Sequence, residues 1–246
     1  MLNLSIPDHV IPLRAKVLDF IEREIYPLES TLYEETPESR RGLMRGLMQK
    51  AKDEHLWALG HPEEIGGGGL PFMDYVFVNE VVGRSSLATV ALGTHSLQDS
   101  IMLHRYASPE WREKYLDPLV GGEIFPSFGM TEPDVASSDP TQLQTRAELE
   151  GDEWVINGRK WFTSGAATAA YTTAMVRTEP DDTPPHASFS MIIVPTDTVG
   201  YNIVRDVAVM GEFDGHYEVV YDDVRVPKEN LLGTREIGRA SCRERV

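Results

Sequence analysis

The stretch TRAELEGDEWVINGRKWFTSG, residues 145–165, decides the fold. Apolar and polar side chains alternate through it, and it carries Gly151-Asp152 and Asn157-Gly158, residue pairs that favour tight hairpin turns. Short β-rich runs follow at TTAMVRT (172–178), FSMIIVPT (189–196), YNIVRDVAVM (201–210) and HYEVVYDDVRVP (216–227), with EPDDTPPHA (179–187) as a polar loop between two of them. The chain from residue 123 therefore predicts a sheet. Upstream the texture is helical, with a change near Gly121-Gly122.

DHVIPLRAKVLDFIEREIYP (8–27) puts Val10, Leu13, Val17, Phe20, Ile21 and Ile25 near one helical face and predicts a helix that stops at Pro27. PESRRGLMRGLMQKAKDEHLWAL (37–59) repeats that pattern through Leu43, Leu47, Ala51 and Leu56. FMDYVFVNEVVGR (72–84) and THSLQDSIMLHRYA (94–107) are further amphipathic segments. In SPEWREKYLDPLVGGE (108–123), Ser108 is placed as N-cap with Pro109 at the first helical position. Helices followed by strands, without alternation, predict an α+β chain. Its expected parts are a helical domain over 1–122, a small β-barrel domain over 123–234 and a separate tail over 235–246.

Composition narrows the function classes. A chain of 246 residues with 41% hydrophobic and 25% charged residues can bury a core, and a net charge of −16 disfavours nucleic acid and anionic membranes as partners. No apolar run reaches membrane-spanning length, and MLNLSIPDHVIPLRAK lacks the features of a secretory or transit leader, so a cytoplasmic address is expected. The single cysteine, Cys242, excludes a disulfide framework. It lies in REIGRASCRERV (235–246), an Arg-rich end to an acidic chain, and EIGRASCRERV is similar to the translation of a sequencing-library adapter. Residues from 236 onward are therefore expected to be a non-native addition to a shortened chain.

Several motif readings fail on context. PEEIGGGGLP (62–71) has neither a preceding strand nor a following Gly-Lys-Ser/Thr, so it reads as a flexible connection between helices rather than a phosphate loop. The histidines show no metal-ligand spacing, and there is no Gly-x-Ser-x-Gly elbow. FPSFGMTEPDVASSDP (125–140) admits two readings. Its Ser, Thr and Asp side chains can cap their own turn, or its hydroxyls and backbone N–H groups can converge on the oxygens of a polar ligand.

The order of LWALGHPEEIGGGGL (56–70), RYASPEWREKYLDPLVGGEI (105–124), MTEPDVASSD (130–139), WVINGRKWFTSGA (154–166) and YDDVRVPKENLLG (221–233) resembles the acyl-CoA dehydrogenase family of flavoproteins. The resemblance extends from the Leu13 helix to Gly233, although MTEPDVASSD departs from the commoner Thr-Glu-Pro-Gly-x-Gly-Ser-Asp form. It implies FAD as cofactor, an acyl-CoA thioester as substrate, an electron-transfer flavoprotein as electron acceptor and a homo-oligomeric assembly. It also implies a further helical bundle that supplies the catalytic base, so no residue of this chain is assigned that role. By the same resemblance Phe128, Met130, Thr131, Ser137, Ser138, Trp161, Phe162 and Thr163 contact the cofactor. Met130 and Thr131 would serve the flavin carbonyl edge, Trp161 would lie beside the ring, Thr163 would point at N5, and Ser138 would also meet the thioester. Glu132 and Asp139 are expected to be structural. An acyl-CoA oxidase, or a binding module on the same scaffold without catalysis, remain as alternatives at this level.

Overall fold

A computed structural model describes residues 5–32, 34–211 and 215–235, and the expected non-native residues 236–246 lie outside it. The described chain is α+β: helices come first and a curled, half-barrel sheet of seven strands follows. Its described residues divide into two compact units, one running up to residue 101 and including 116–122, and one of residues 102–115 with those from 123 onward.

The first unit packs α1 (Ile11–Phe20), α2 (Tyr26–Leu32), α3 (Pro37–Asp53), α4 (Phe72–Val82) and α5 (Ser86–Ala91). Its core contains Val10, Val17, Phe20, Ile21, Ile25, Leu47, Ala51 and Leu56, positions marked by helical spacing, together with Val78, whereas Leu13 is only half-buried and Leu43 stays exposed. Pro27 does not end the first helix as the sequence predicts. The backbone widens into a π-type turn over Ile21–Ile25, in which Tyr26 N–H reaches the Ile21 carbonyl, and helix resumes with Pro27 as the second residue of α2. At that position a missing N–H costs nothing. The same device precedes Pro118: a π-type turn over Arg112–Leu116 leads into the helical turn Asp117–Gly121.

The glycine run is not a loose connection. Gly67 N–H bonds to Pro62 O, Gly68 N–H to Ala58 O and Gly69 N–H to His61 O. A Cβ on Gly67 would fall 2.3 Å from the His61 carbonyl oxygen, so glycine is required by a close approach of backbone to backbone.

In the second unit, α6 (Leu97–Tyr106) contributes its residues from Met102 onward. The Tyr106 carbonyl accepts from Gly233 N–H at 3.0 Å, and Tyr115 meets Tyr171 edge-on at 4.9 Å, which binds this helical segment to the strands. Ser108 caps the short turn Pro109–Trp111 as expected, accepting from Trp111 N–H at 3.3 Å.

The strands are β1 (Pro126–Gly129), β2 (Arg146–Glu150), β3 (Glu153–Ser164), β4 (Tyr171–Arg177), β5 (Phe189–Pro195), β6 (Tyr201–Asp206) and β7 (His216–Pro227). Their order is β1-β4-β2-β3-β7-β6, with β5 on β4. Gly151-Asp152 makes the predicted hairpin between β2 and β3. Asn157-Gly158 does not turn. It is a bulge inside β3, where the pairing with β7 shifts between Ile156 and Gly158 and the Asn157 amide pairs with the Asp223 carboxylate and N–H. The curled inner face is filled by Trp154, Ile156, Val176, Ile192, Val194, Tyr221 and Val226.

Candidate functional site: a ledge joining the end of β1 to a bulge in β3

β1 runs parallel to β4 with Phe128 opposite Thr173, and the chain then leaves the sheet through Met130 and Thr131. On β3 the pairing with β7 shifts a second time between Lys160 and Thr163, lifting Trp161 and Phe162 out of register. These two irregular places join. Trp161 N–H donates to the Thr131 carbonyl at 2.9 Å, and the Thr131 hydroxyl donates to the Trp161 carbonyl at 2.7 Å. Phe162 is held at φ +50°, a left-handed conformation that an aromatic residue adopts only when its surroundings impose it. Phe162 is 39% exposed, and its ring lies 4.7 Å from the Trp161 ring.

Beneath this ledge lies an ion pair that neither spacing nor composition announced. Lys160 is completely buried, and its ammonium donates to the Glu132 carboxylate at 2.8 Å and to the Met130 carbonyl at 2.9 Å. Glu132 also accepts from the backbone N–H groups of Gln144 at 2.7 Å and Thr145 at 2.9 Å. Burial pushes the Lys160 amine down to about 8, with the Glu132 charge opposing it. The Glu132 carboxyl is itself raised by burial, but Lys160 and the backbone donors more than offset this and hold it below its ordinary value. The available sequence signal was a lysine in the inward phase of an otherwise apolar strand face. Glu132 fulfils its expected structural role.

The sequence-predicted residues distribute unevenly. Met130 is half-buried against Leu143, Met175 and Phe189. Phe128, Thr131, Trp161 and Ser137 are half-buried, Ser138 is exposed and Thr163 is fully buried with its hydroxyl unpartnered. Ser137 Oγ accepts from Glu132 N–H at 2.7 Å and faces the Glu132 carbonyl at 2.9 Å, so its hydroxyl closes its own loop. Asp139 caps the turn at Thr141. The capped-turn reading of 125–140 thus describes its second half, and the ligand-facing reading remains open for Met130 and Thr131. Neither of their N–H groups is used by a hydrogen bond among the described residues. Directly before them, Gly129 lets β1 approach the interior: a Cβ there would stand 3.0 Å from the Tyr221 hydroxyl and 3.2 Å from Thr172 Cγ2.

Sequence profiles of the acyl-CoA dehydrogenase N-terminal domain and middle domain match residues 8–123 and 127–224. The chain belongs to the acyl-CoA dehydrogenase family. A Mycobacterium tuberculosis protein named as a probable acyl-CoA dehydrogenase is 35% identical over all of this chain and 62% of its own length. Acyl-CoA dehydrogenase family member 10 of Mus musculus is 37% identical over 88% of this chain and 22% of its own. A solved Mycobacterium abscessus structure assigned as an acyl-CoA dehydrogenase superposes with a TM-score of 0.90 at 33% identity, covering 99% of this chain and 64% of that one. The chain therefore spans less than two thirds of each of these relatives.

Family membership makes flavin the group to test against the ledge. The residues fit it: unused N–H donors at Met130 and Thr131 stand next to an aromatic pair, and the buried Thr163 hydroxyl follows directly. Among the described residues there is no cluster of His, Cys, Asp or Glu suited to a metal ion, and no helix long and apolar enough to cross a membrane.

Proposed function

We propose that this chain carries the cofactor-facing ledge of an FAD-dependent acyl-CoA dehydrogenase. The reaction removes the α-hydrogen of an acyl-CoA thioester as a proton and its β-hydrogen as a hydride. The observation that carries the reading is the reciprocal hydrogen bonding of Thr131 and Trp161, which fuses the two family motifs into one surface with donors left unused. When bound, FAD supplies a two-electron acceptor that no side chain can provide.

In this reading the Met130 and Thr131 N–H groups would hold the flavin, supplying preorganised donors that favour negative charge developing on it. Trp161 and Phe162 form an apolar wall that excludes water, with Phe128 behind the Met130 turn. Thr163 would act from beneath the ledge, Ser138 would face the acyl-CoA, and Ser137 would act through the loop it closes. In this reading neither Glu132 nor Asp139 serves as the α-proton base: Glu132 is engaged by Lys160 and two N–H groups, and Asp139 by its turn. Proton abstraction is assigned to a group outside these motifs. The same proposal treats residues 1–122 and 123–234 as separate functional modules and includes an electron-transfer flavoprotein as acceptor, a homo-oligomeric assembly and a cytoplasmic address.

The test is anaerobic mixing of the FAD-loaded full-length protein with a series of acyl-CoAs. Substrate-dependent bleaching of the flavin absorbance is expected. Failure to bind FAD, or an unbleached flavin with every acyl-CoA, would overturn the assignment.

A further inference from the structure

Two consecutive peptide groups cross the ledge, and each is gripped from inside the chain. The Thr131–Glu132 peptide is held at both ends, its carbonyl by Trp161 N–H at 2.9 Å and its N–H by Ser137 Oγ at 2.7 Å. The Met130–Thr131 peptide is held at one end only, where its carbonyl accepts the Lys160 ammonium at 2.9 Å. The chain contains no cis peptide among its described residues, and a planar trans peptide directs N–H opposite to C=O. With the Met130 carbonyl pointing at a fully buried ammonium, the Thr131 N–H points away from the sheet interior. It is the one end of these two peptides with no partner among the described residues.

We propose that Lys160 is a positioning residue that fixes the Met130–Thr131 peptide plane and strengthens the Thr131 N–H as a donor toward an electron-rich ligand edge. This rests on the flavin reading above and adds to it a residue that touches no cofactor. Two physical effects operate together. A cation bonded to the carbonyl prevents the peptide from flipping, and it polarises the amide so that the opposite N–H becomes a better donor, as in any chain of hydrogen bonds at low dielectric. Glu132 acts differently, compensating the buried charge and, through Gln144 and Thr145, keeping the ammonium on station. Met130 packing against Leu143, Met175 and Phe189 immobilises the residue whose carbonyl is held.

The experiment compares the unaltered chain with the neutral pair Lys160→Met/Glu132→Gln. The pair removes both buried charges at near-constant volume, so it avoids the uncompensated ion that Lys160→Met alone would leave. The first readout needs no flavin. The carbonyl 13C resonance of Met130 and the 15N resonance of Thr131 should move in the pair relative to the unaltered chain. Lysine 15Nζ labelling reads the same hydrogen bond in the unaltered chain, through its coupling to the Met130 carbonyl carbon. In FAD titrations the pair should weaken binding by about ten- to one-hundred-fold, the worth of one hydrogen bond to a charged group. The flavin midpoint potential should also become more negative, because the reduced, more anionic form loses more than the oxidised form. An unmoved Met130 resonance, an absent coupling in the unaltered chain, or equal FAD affinity and potential in the pair and the unaltered protein would overturn the proposal. If the full-length protein binds no FAD, the flavin reading fails, and the Met130 resonance and coupling alone decide whether Lys160 holds the peptide.

Discussion

Replacing Thr131 by Val tests the ledge directly. The substitution is nearly isosteric, so it creates no cavity. It removes one bond, the 2.7 Å hydroxyl donation to the Trp161 carbonyl, and leaves the backbone bond from Trp161 N–H to the Thr131 carbonyl intact. A typical intramolecular hydrogen bond contributes about 0.5–1.5 kcal/mol net, and a buried carbonyl left without a donor costs about 1–3 kcal/mol. Thr131 and Trp161 are both half-buried, so water partly replaces the lost donor and the cost falls at the lower end, about 1–2 kcal/mol. For a chain of this length that corresponds to a fall in Tm of about 2–8 °C. The effect on FAD should be larger than stability alone predicts, because the bond orients the unused donors beside it. About a tenfold loss of affinity is expected, with Thr131→Ser close to the parent since it keeps the hydroxyl. Thermal unfolding by circular dichroism and titration of FAD by flavin fluorescence provide the two readings. A Thr131→Val protein with parental Tm and parental FAD affinity, or a Thr131→Ser protein as impaired as Thr131→Val, would refute the reasoning.

Further expectations concern the buried pair and the backbone. Glu132→Ala should destabilise by about 3–5 kcal/mol, because it strands a buried ammonium; denaturant unfolding measures this, and a loss near zero would contradict the burial of Lys160. Lys160 titrates at about 8 in the folded chain against an ordinary 10.5, so between those values the unfolded state binds more protons and this group's contribution to stability rises with pH. Glu132 has the opposite flank: its folded value lies below the ordinary 4.5, so its contribution is present above that value and is lost as the pH falls through the folded one. Both slopes should vanish in the Lys160→Met/Glu132→Gln pair when unfolding free energy is measured across pH. Gly158→Ala should lower Tm, since φ is +150° and the new Cβ would fall 2.5 Å from Thr145 Oγ1 and 2.7 Å from Thr145 Cα; an unchanged Tm would mean the bulge can relax. Deleting residues 236–246 should leave Tm unchanged when the deletion begins after Arg235, whose guanidinium donates to the Thr178 carbonyl at 2.7 Å and pairs with Glu179 at 2.6 Å.

The sequence by itself determined the order of helix and sheet, most of the core and the two segments that meet in the ledge. These depend on local quantities. The 3.6-residue period turned Val17, Phe20, Ile21 and Ile25 inward, and Gly151-Asp152 closed its hairpin because a two-residue turn needs little beyond its own backbone. The failures were places where a local preference met a distant partner. Pro27 should end a helix, but a π-type turn let the helix continue through it. Asn157-Gly158 should turn, yet Asp223 on β7 captures the Asn157 side chain and keeps β3 running. PEEIGGGGLP reads as loose because glycine is permissive, whereas the fold uses the missing Cβ of Gly67 for contact with His61. Only the tertiary structure could show that Lys160 lies inside, bonded to a carboxylate and a carbonyl from across the sheet. A charge enters the interior only where its partners are already assembled, and the 28 residues separating Glu132 from Lys160 close only once the sheet has curled.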